Sequence, residues 1–416
     1  MTAPFSRMGT ANAYETALRN LSARQNSLVT LQGQMSANKS VLRGSDDPTA
    51  AAAAERATTR LSRIDSEQRA LAAQRNTIQN AESTLGSVNS AIQDFRDLVV
   101  QAGSGVYNAT DRASIAQQLT SLRDQILSYA NEKDTNGQPL FGGLGSGVAP
   151  FVDGSGNVSY DAVAGQNAST GNAISHTIDG KAAFMNVPTG NGVFTVDLAK
   201  DPTTGKVTNT GTASTDAGRV TDPSALTGNG YSISFALDTA GKTTYTVTNT
   251  TTGTAVPALT NQPYAPGTAI AFDGLSLVVK GNPAVGDTIT LGASTTSNLF
   301  KTLDDAISTI GKAGSNVGAI GQAVTNALVQ IDAGLTRTSA SRGYAGELLN
   351  RADRISEVQD ARTTQVTSDL SVAEGSDQDS QIKRISDFQN AQTGYSAALQ
   401  SYAQIQKLSL FNFIGG

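Results

Sequence analysis

The sequence predicts an α+β, multi-domain protein. It reads as a long-helix bundle with paired N- and C-terminal coiled-coil-like helices and a central β-rich insert. Two observations carry this: proline and glutamine avoid each other along the chain, and apolar repeats of three-four spacing flank the middle. Eight of the 11 prolines fall within residues 142–297, whereas Gln166 and Gln262 are the only glutamines there. Proline breaks a helix interior by removing a hydrogen bond and clashing with the preceding turn, and glutamine is a good helix former. Helical arms therefore flank a non-helical insert.

In chain order, Tyr14, Leu18, Leu21, Gln25, Leu28, Gln32 and Met35 form a first amphipathic seam, in steps of three and four. The stretch "VLRGSDDPTAAAAAERATTRL" then marks a new helix start. Asp47 suits the N-cap, with Ser45 an alternative slightly upstream. Pro48 suits the first helical position, and Asp46 and Asp47 meet the positive end of the helix dipole. Leu61, Ile64, Leu71, Ile78, Leu85, Val88, Ile92, Phe95 and Val99 continue the three-four repeat over a rod of roughly 80 Å, at 1.5 Å per residue. Gly103 and Gly105 end it, and Thr110-Asp111 is expected to cap a shorter helix with Ile115, Leu119, Leu122 and Ile126.

The insert reads as strands. "GYSISFALDTAGKTTYTVTN" is a hairpin signature, and "AIAFDGLSLVVKGNPAVGDTITL" repeats the alternation, with turns at Asp273-Gly274 and Gly281-Asn282-Pro283. "NVSYDAVAG" and "GVFTVDLA" are further strands, and "TASTDAGRVTDPSALTGNG" reads as loop. Threonine-rich faces suggest short, half-exposed strands without a thick core. Beyond the insert, Val317, Ile320, Val324, Ile331, Leu335, Ala345, Leu348, Ala352 and Ile355 resume the helical repeat, with Thr338 a poor core residue in their path. The helices after Pro48, Thr110 and Ser315 are expected to form an antiparallel bundle, because long helices gain stability chiefly by packing an apolar face. After the polar break "AEGSDQDS", a last seam runs through Ile385, Phe388, Gln392, Tyr395, Leu399, Tyr402 and Gln406 into "LSLFNFIGG".

The domains expected are 1–45, an N-terminal amphipathic helix; 46–141, bundle helices; 142–297, the β-rich insert, with room for a hairpin belonging to the bundle; 298–372, bundle helices; and 373–416, a C-terminal amphipathic helix. Each terminal seam contains two glutamines and is set off by a polar break. A buried amide needs a hydrogen-bond partner, so these seams are expected to gain stability against neighbouring subunits.

Composition narrows the chemistry. The 416 residues carry a net charge of −5, 16% charged residues, no cysteine and one histidine, His176. There is no basic field for nucleic acid or an anionic membrane, no thiol nucleophile and no two-histidine metal site. "GGLGSG" lacks the spacing and the Lys-Ser/Thr of a phosphate loop, and "GSDQDS" lacks calcium-loop spacing. No catalytic, cofactor-binding or metal-binding residue is expected, and no cofactor. No apolar run is long enough for a membrane span, and the N-terminus does not read as a cleavable signal peptide. A chain of this kind that leaves the cell needs a dedicated export machine.

"LQGQMSANKSVLRGSDDPTAAAAA" resembles the motif that opens the bundle in flagellar hook-filament junction proteins of the hook-associated protein 3 (FlgL) type, within the flagellin superfamily. "DTNGQPLFGG", "FDGLSLVVKGNPAVGDTITL" and the closing "QIQKLSLFNFI" are similar to the same family. "TAPFSRMG", Gly44 and "SANK" depart from the family pattern. The resemblance implies a non-enzymatic structural role: export, unfolded, by the flagellar type III apparatus, and a homo-oligomeric ring between the other junction protein and flagellin. It also implies a cytoplasmic export chaperone at the C-terminal helix. The expected assembly or chaperone surface comprises Leu18, Leu21, Gln25, Leu28, Phe388, Gln392, Tyr395, Leu399, Tyr402, Leu408 and Phe411. A flagellin filament subunit, or an exported adhesin or needle-tip-like protein gripping through the insert, are the alternatives.

Overall fold

The computed structural model describes residues 10–145, 149–154, 157–312 and 316–414. Its helices are α1 (Thr10–Ala37), α2 (Pro48–Ala102), α3 (Ala109–Ala130), α4 (Leu299–Lys312), α5 (Val317–Glu374) and α6 (Gln378–Ile414). Two compact units divide the chain: residues up to Ala70 with those from Arg354 onward, and Leu71–Asp353. The long helices α2 and α5 contribute to both.

In the Leu71–Asp353 unit, Ile78, Leu85, Val88, Ile92, Phe95 and Val99 of α2 are buried, as are Leu119 and Ile126 of α3 and Ile331, Leu348 and Ala352 of α5. Each large aliphatic side chain so buried stabilises the unit by about 1.5–3 kcal/mol. Cross-helix pairs run in antiparallel order: Arg75–Asp353 at 3.1 Å, Glu82–Arg342 at 2.7 Å and Arg96–Asp332 at 2.8 Å. Thr338, the weak step in the repeat, is fully buried. Its hydroxyl donates to Asn89 Oδ1 at 2.5 Å, and Asn89 Nδ2 donates to Ser339 Oγ at 3.2 Å. A buried hydroxyl with a partner carries little desolvation cost, so the helix continues through this step.

The cap of α3 differs from expectation. Asn108, not Thr110-Asp111, is the N-cap: its Oδ1 accepts from Thr110 N at 2.8 Å and Asp111 N at 3.0 Å, while Asp111 returns a bond to Asn108 N. This capping box places Thr110 and Asp111 inside the first turn. His176 lies exposed in a bend rather than on a strand.

The strands are β1 (Phe151–Gly154), β2 (Asn157–Tyr160), β3 (Val187–Pro188), β4 (Phe194–Leu198), β5 (Ser214–Thr215), β6 (Arg219–Val220) and β7 (Tyr231–Leu237). Then come β8 (Thr243–Asn249), β9 (Thr254–Ala255), β10 (Gln262–Pro263), β11 (Ala269–Phe272), β12 (Leu275–Lys280), β13 (Thr288–Ala293) and β14 (Thr296–Ser297). The β1–β2 hairpin belongs with the helices. Arg123 of α3 donates from Nη2 to Asp153 at 3.0 Å and from Nε to Asp304 of α4 at 3.0 Å. Phe151 packs with Phe184 and Phe300, and Phe184 also meets Phe141.

Two sheets form a sandwich. One has the order β10-β8-β7-β13-β4, with β9 on β8; the other is β11-β12-β5, with β6 on β12. The β7–β8 hairpin is present, its register pairing Ile233 with Val247. Two expectations are corrected here. Phe194, Val196, Tyr231, Ile233, Phe235, Leu277, Val279, Ile289 and Leu291 are buried together, so the threonine-rich outer faces cover a full core. The stretch from Thr212 to Gly230 supplies β5 and β6 rather than loop alone, because Ser214–Thr215 and Arg219–Val220 pair with opposite ends of β12. The turn at Gly281-Asn282-Pro283 carries the chain from one sheet to the other. Gln322 of α5 accepts from Thr215 N at 2.7 Å and donates to Val196 O at 3.3 Å, tying the sandwich to the helix.

Candidate assembly interface on the terminal helices

In the unit formed by residues up to Ala70 and from Arg354 onward, a continuous non-helical turn separates α1 from α2. Asn38 takes a positive φ of 52°, which ends α1, and its N–H donates to Met35 O at 3.1 Å. Asn is one of the few side chains that adopt this conformation readily. Asp46 accepts from Leu42 N at 3.0 Å and Arg43 N at 2.8 Å, which closes the turn containing Ser45. Asp47 Oδ1 accepts from Thr49 N and Ala50 N, both at 3.0 Å, and Pro48 is the first residue of α2. The Ala50 N–H, then the Thr49 hydroxyl, hold the Asp47 carboxyl below its ordinary range. Ser45 is exposed in the turn, and the capping bonds go to Asp47.

Beyond this break α1 and α6 lie against each other. Leu21, Leu28 and Leu31 of α1 are half-buried, as are Phe388, Ala391, Tyr395, Ala398 and Tyr402 of α6. The Tyr14 and Tyr402 hydroxyls are 2.7 Å apart, with ring centroids at 5.4 Å. Between these points Arg24 covers Gly394: a Cβ there would stand 2.4 Å from Arg24 Nη1.

The residues expected to form one surface thus divide into two sets. Leu21, Leu28, Phe388, Tyr395 and Tyr402 take the α1–α6 seam. Leu18, at 37% exposure, Gln25, Gln392 and Leu399, at 41%, stay outside it, beside Ile385 at 47%. Ile385, Gln392 and Leu399 are seven apart, as are Leu18 and Gln25, so each helix keeps one heptad-spaced column uncovered. A two-helix contact is narrow, whereas the apolar stripe of an amphipathic helix is at least about 100° wide. The four seam glutamines Gln25, Gln32, Gln392 and Gln406 are all exposed, so none needs a buried partner in the single chain. The side chains of Leu408 and Phe411 lie outside the described residues.

Sequence reasoning missed Ala391 and Ala398, which are too small to stand out in a hydrophobic repeat, and Arg384, which is buried in this unit. Among the described residues no group of His, Asp or Glu could hold a metal, and no helix is long and apolar enough to cross a membrane.

Solved structures share this fold over most of the chain. One titled flagellar hook associated protein-3, from Legionella pneumophila, superposes with a TM-score of 0.70 at 26% identity, over 78% of this chain and 99% of that one. The chain resembles flagellar hook-associated protein 3. FlgL from Xanthomonas campestris superposes with a TM-score of 0.66 at 26% identity, over 76% of this chain and 99% of that one. The curated flagellar hook-associated protein 3 of Salmonella typhimurium strain LT2 is 36% identical over 147 residues, 35% of this chain and 46% of that relative. The chain therefore spans about half the length of the curated relatives it matches. Residues 9–146 match the family described as bacterial flagellin N-terminal helical region. Residues 204–293 match that described as flagellar hook-associated protein 1, D2-like domain. The first match covers α1 through α3 and the second most of the β-sandwich.

Proposed function

We propose that the protein is a non-enzymatic structural adaptor of the bacterial flagellum that forms a ring at the hook-filament junction and seats the flagellin filament. The observation that carries this reading is the pair of terminal helices, which leave Leu18, Gln25, Ile385, Gln392 and Leu399 uncovered in a chain similar to FlgL structures over nearly their full length. The uncovered columns are what neighbouring copies bury. In functional terms residues 1–45 and 373–416 are the assembly segments, 46–141 and 298–372 the bundle, and 142–297, apart from the β1–β2 hairpin that packs with the helices, the outward insert. The chain is exported unfolded by the flagellar type III apparatus and lies outside the cell after export. Before it, a cytoplasmic chaperone covers the Phe388, Tyr395 and Tyr402 face in the helix-in-groove manner.

Deleting the gene tests this reading: hooks should remain intact, filaments should be lost and flagellin should appear in the medium. Normal filaments on such cells would overturn it. The match of residues 9–146 to the flagellin N-terminal region favours a second reading, a filament subunit. Growth of filaments from seeds by the purified protein alone would support that instead.

A further inference from the structure

The helix break after α1 meets the α5–α6 turn through one buried cation. Arg384 is 5% exposed, and every acceptor that the structure gives it is neutral. Its Nη1 donates to Ser40 Oγ at 2.7 Å and to Gly375 O, and its Nη2 donates to Asn38 Oδ1 at 3.2 Å. Around it, Ser40 N and Val41 N donate to Glu374 O at 2.8 and 3.3 Å. Lys39 Nζ meets Glu374 Oε1 at 2.7 Å, and Gln34 Nε2 donates to Ser40 O at 2.7 Å. Gly375 takes a positive φ of 63°, and a Cβ on it would stand 2.5 Å from Ser40 Oγ. Only glycine fits there, both for its backbone and for the approach of the two segments.

A buried guanidinium is costly unless its donors are satisfied, and its planar fork holds partners in fixed directions. Here the fork spans two segments more than 300 residues apart in sequence, at the point where α1 ends and α6 begins. From this point Asn38 with Arg384, Arg24 with Gly394 and Tyr14 with Tyr402 follow one another in antiparallel order. A slip by one turn would separate all three.

We propose that Arg384 is a positioning residue: it clasps the α1–α2 break to the α5–α6 turn and sets the register in which the two terminal helices pair within a single chain. Because the clasp acts inside one molecule, a failed ring would leave it standing, and a loose clasp would say nothing against the ring.

The test uses the full chain, which has no native cysteine. In dilute protein carrying Tyr14→Cys and Tyr402→Cys, a short thiol cross-linker should join the two positions within one molecule. Hydrogen exchange should show the Ser40 and Val41 amides protected. Arg384→Gln, or Arg384→Lys, which keeps charge but not the fork, should cut intrachain cross-linking and the protection of both amides by about tenfold. The amides between Val88 and Val99 should keep their protection. Unchanged cross-linking in Arg384→Gln, or unprotected Ser40 and Val41 amides in the parent, overturns the proposal. If Arg384→Gln also exposes Val88–Val99, Ser40→Ala decides. It removes one acceptor and no charge, and it should lower cross-linking by about threefold; no change there overturns the clasp as well.

Discussion

The hydroxyl of Tyr14 lies 2.7 Å from that of Tyr402, although 388 residues separate them. This contact lies far along the α1–α6 pair from the helix break, so it reports whether the pair is closed over most of its length. Its hydrogen bond, and to a lesser degree burial, push the Tyr402 phenol above its ordinary value. A raised phenol stabilises the closed pair fully below the unfolded pKa of about 10 and loses that contribution as pH rises through the folded value. Protection factors of the α1 and α6 amides in the monomer, taken relative to intrinsic exchange at each pH, should therefore fall above about pH 10, and Tyr14→Phe should remove most of that pH-dependent fall.

Arg123 predicts a second acid-base effect, of opposite sign. Its hydrogen bond holds the Asp153 carboxyl below the ordinary range. That contribution is present above the unfolded pKa of about 3.9 and is lost as pH falls through the lower folded value. Arg123→Met should destabilise the Leu71–Asp353 unit by about 2 kcal/mol, a modest figure because both aspartates remain partly in water. Denaturant titration at neutral pH and at acid pH checks this: the difference between parent and variant should shrink as the pH falls.

Asn89 and Thr338 should behave as one unit. Thr338→Val strips a buried acceptor of its donor and should cost about 1–3 kcal/mol. Combining it with Asn89→Leu removes both polar partners, and the double variant should lose less than the sum of the singles. Urea midpoints of the four proteins in the cycle measure the coupling.

At the start of α2, Asp47→Ala should leave the Thr49 and Ala50 amides without their acceptor. Both should exchange faster while the amides near Phe95 do not. Pro48 keeps the helix start in place, so the change should stay local.

Much of this architecture is legible in the amino-acid order. Three-four spacing marks α2, α5 and both terminal helices, and Asp47-Pro48 marks a helix start whose chemistry is entirely local. Two features escape such reading because they depend on partners distant in sequence. The first is which column of an amphipathic helix is covered. Phe388 and Leu399 belong to the same repeat, yet one is in the seam and the other outside, and the alanines that complete the seam are inconspicuous. The second is the satisfaction of buried polar groups. Thr338 looks like a flaw until Asn89 is placed beside it, and Arg384 looks like an ordinary surface cation until Ser40, Gly375 and Asn38 surround it. The sandwich core was hidden for a related reason: short strands with threonine on one face conceal how well the other face is filled.

The uncovered columns of α1 and α6 are the part of the account on which function rests. The most direct measurement is to express Leu18→Glu with Leu399→Glu in motile cells that lack the native gene, and to weigh flagellin in the medium against flagellin on the cell. The account predicts that the variant is exported, hooks are intact, filaments are missing and flagellin is shed. Filaments of normal number and length on those cells would contradict it.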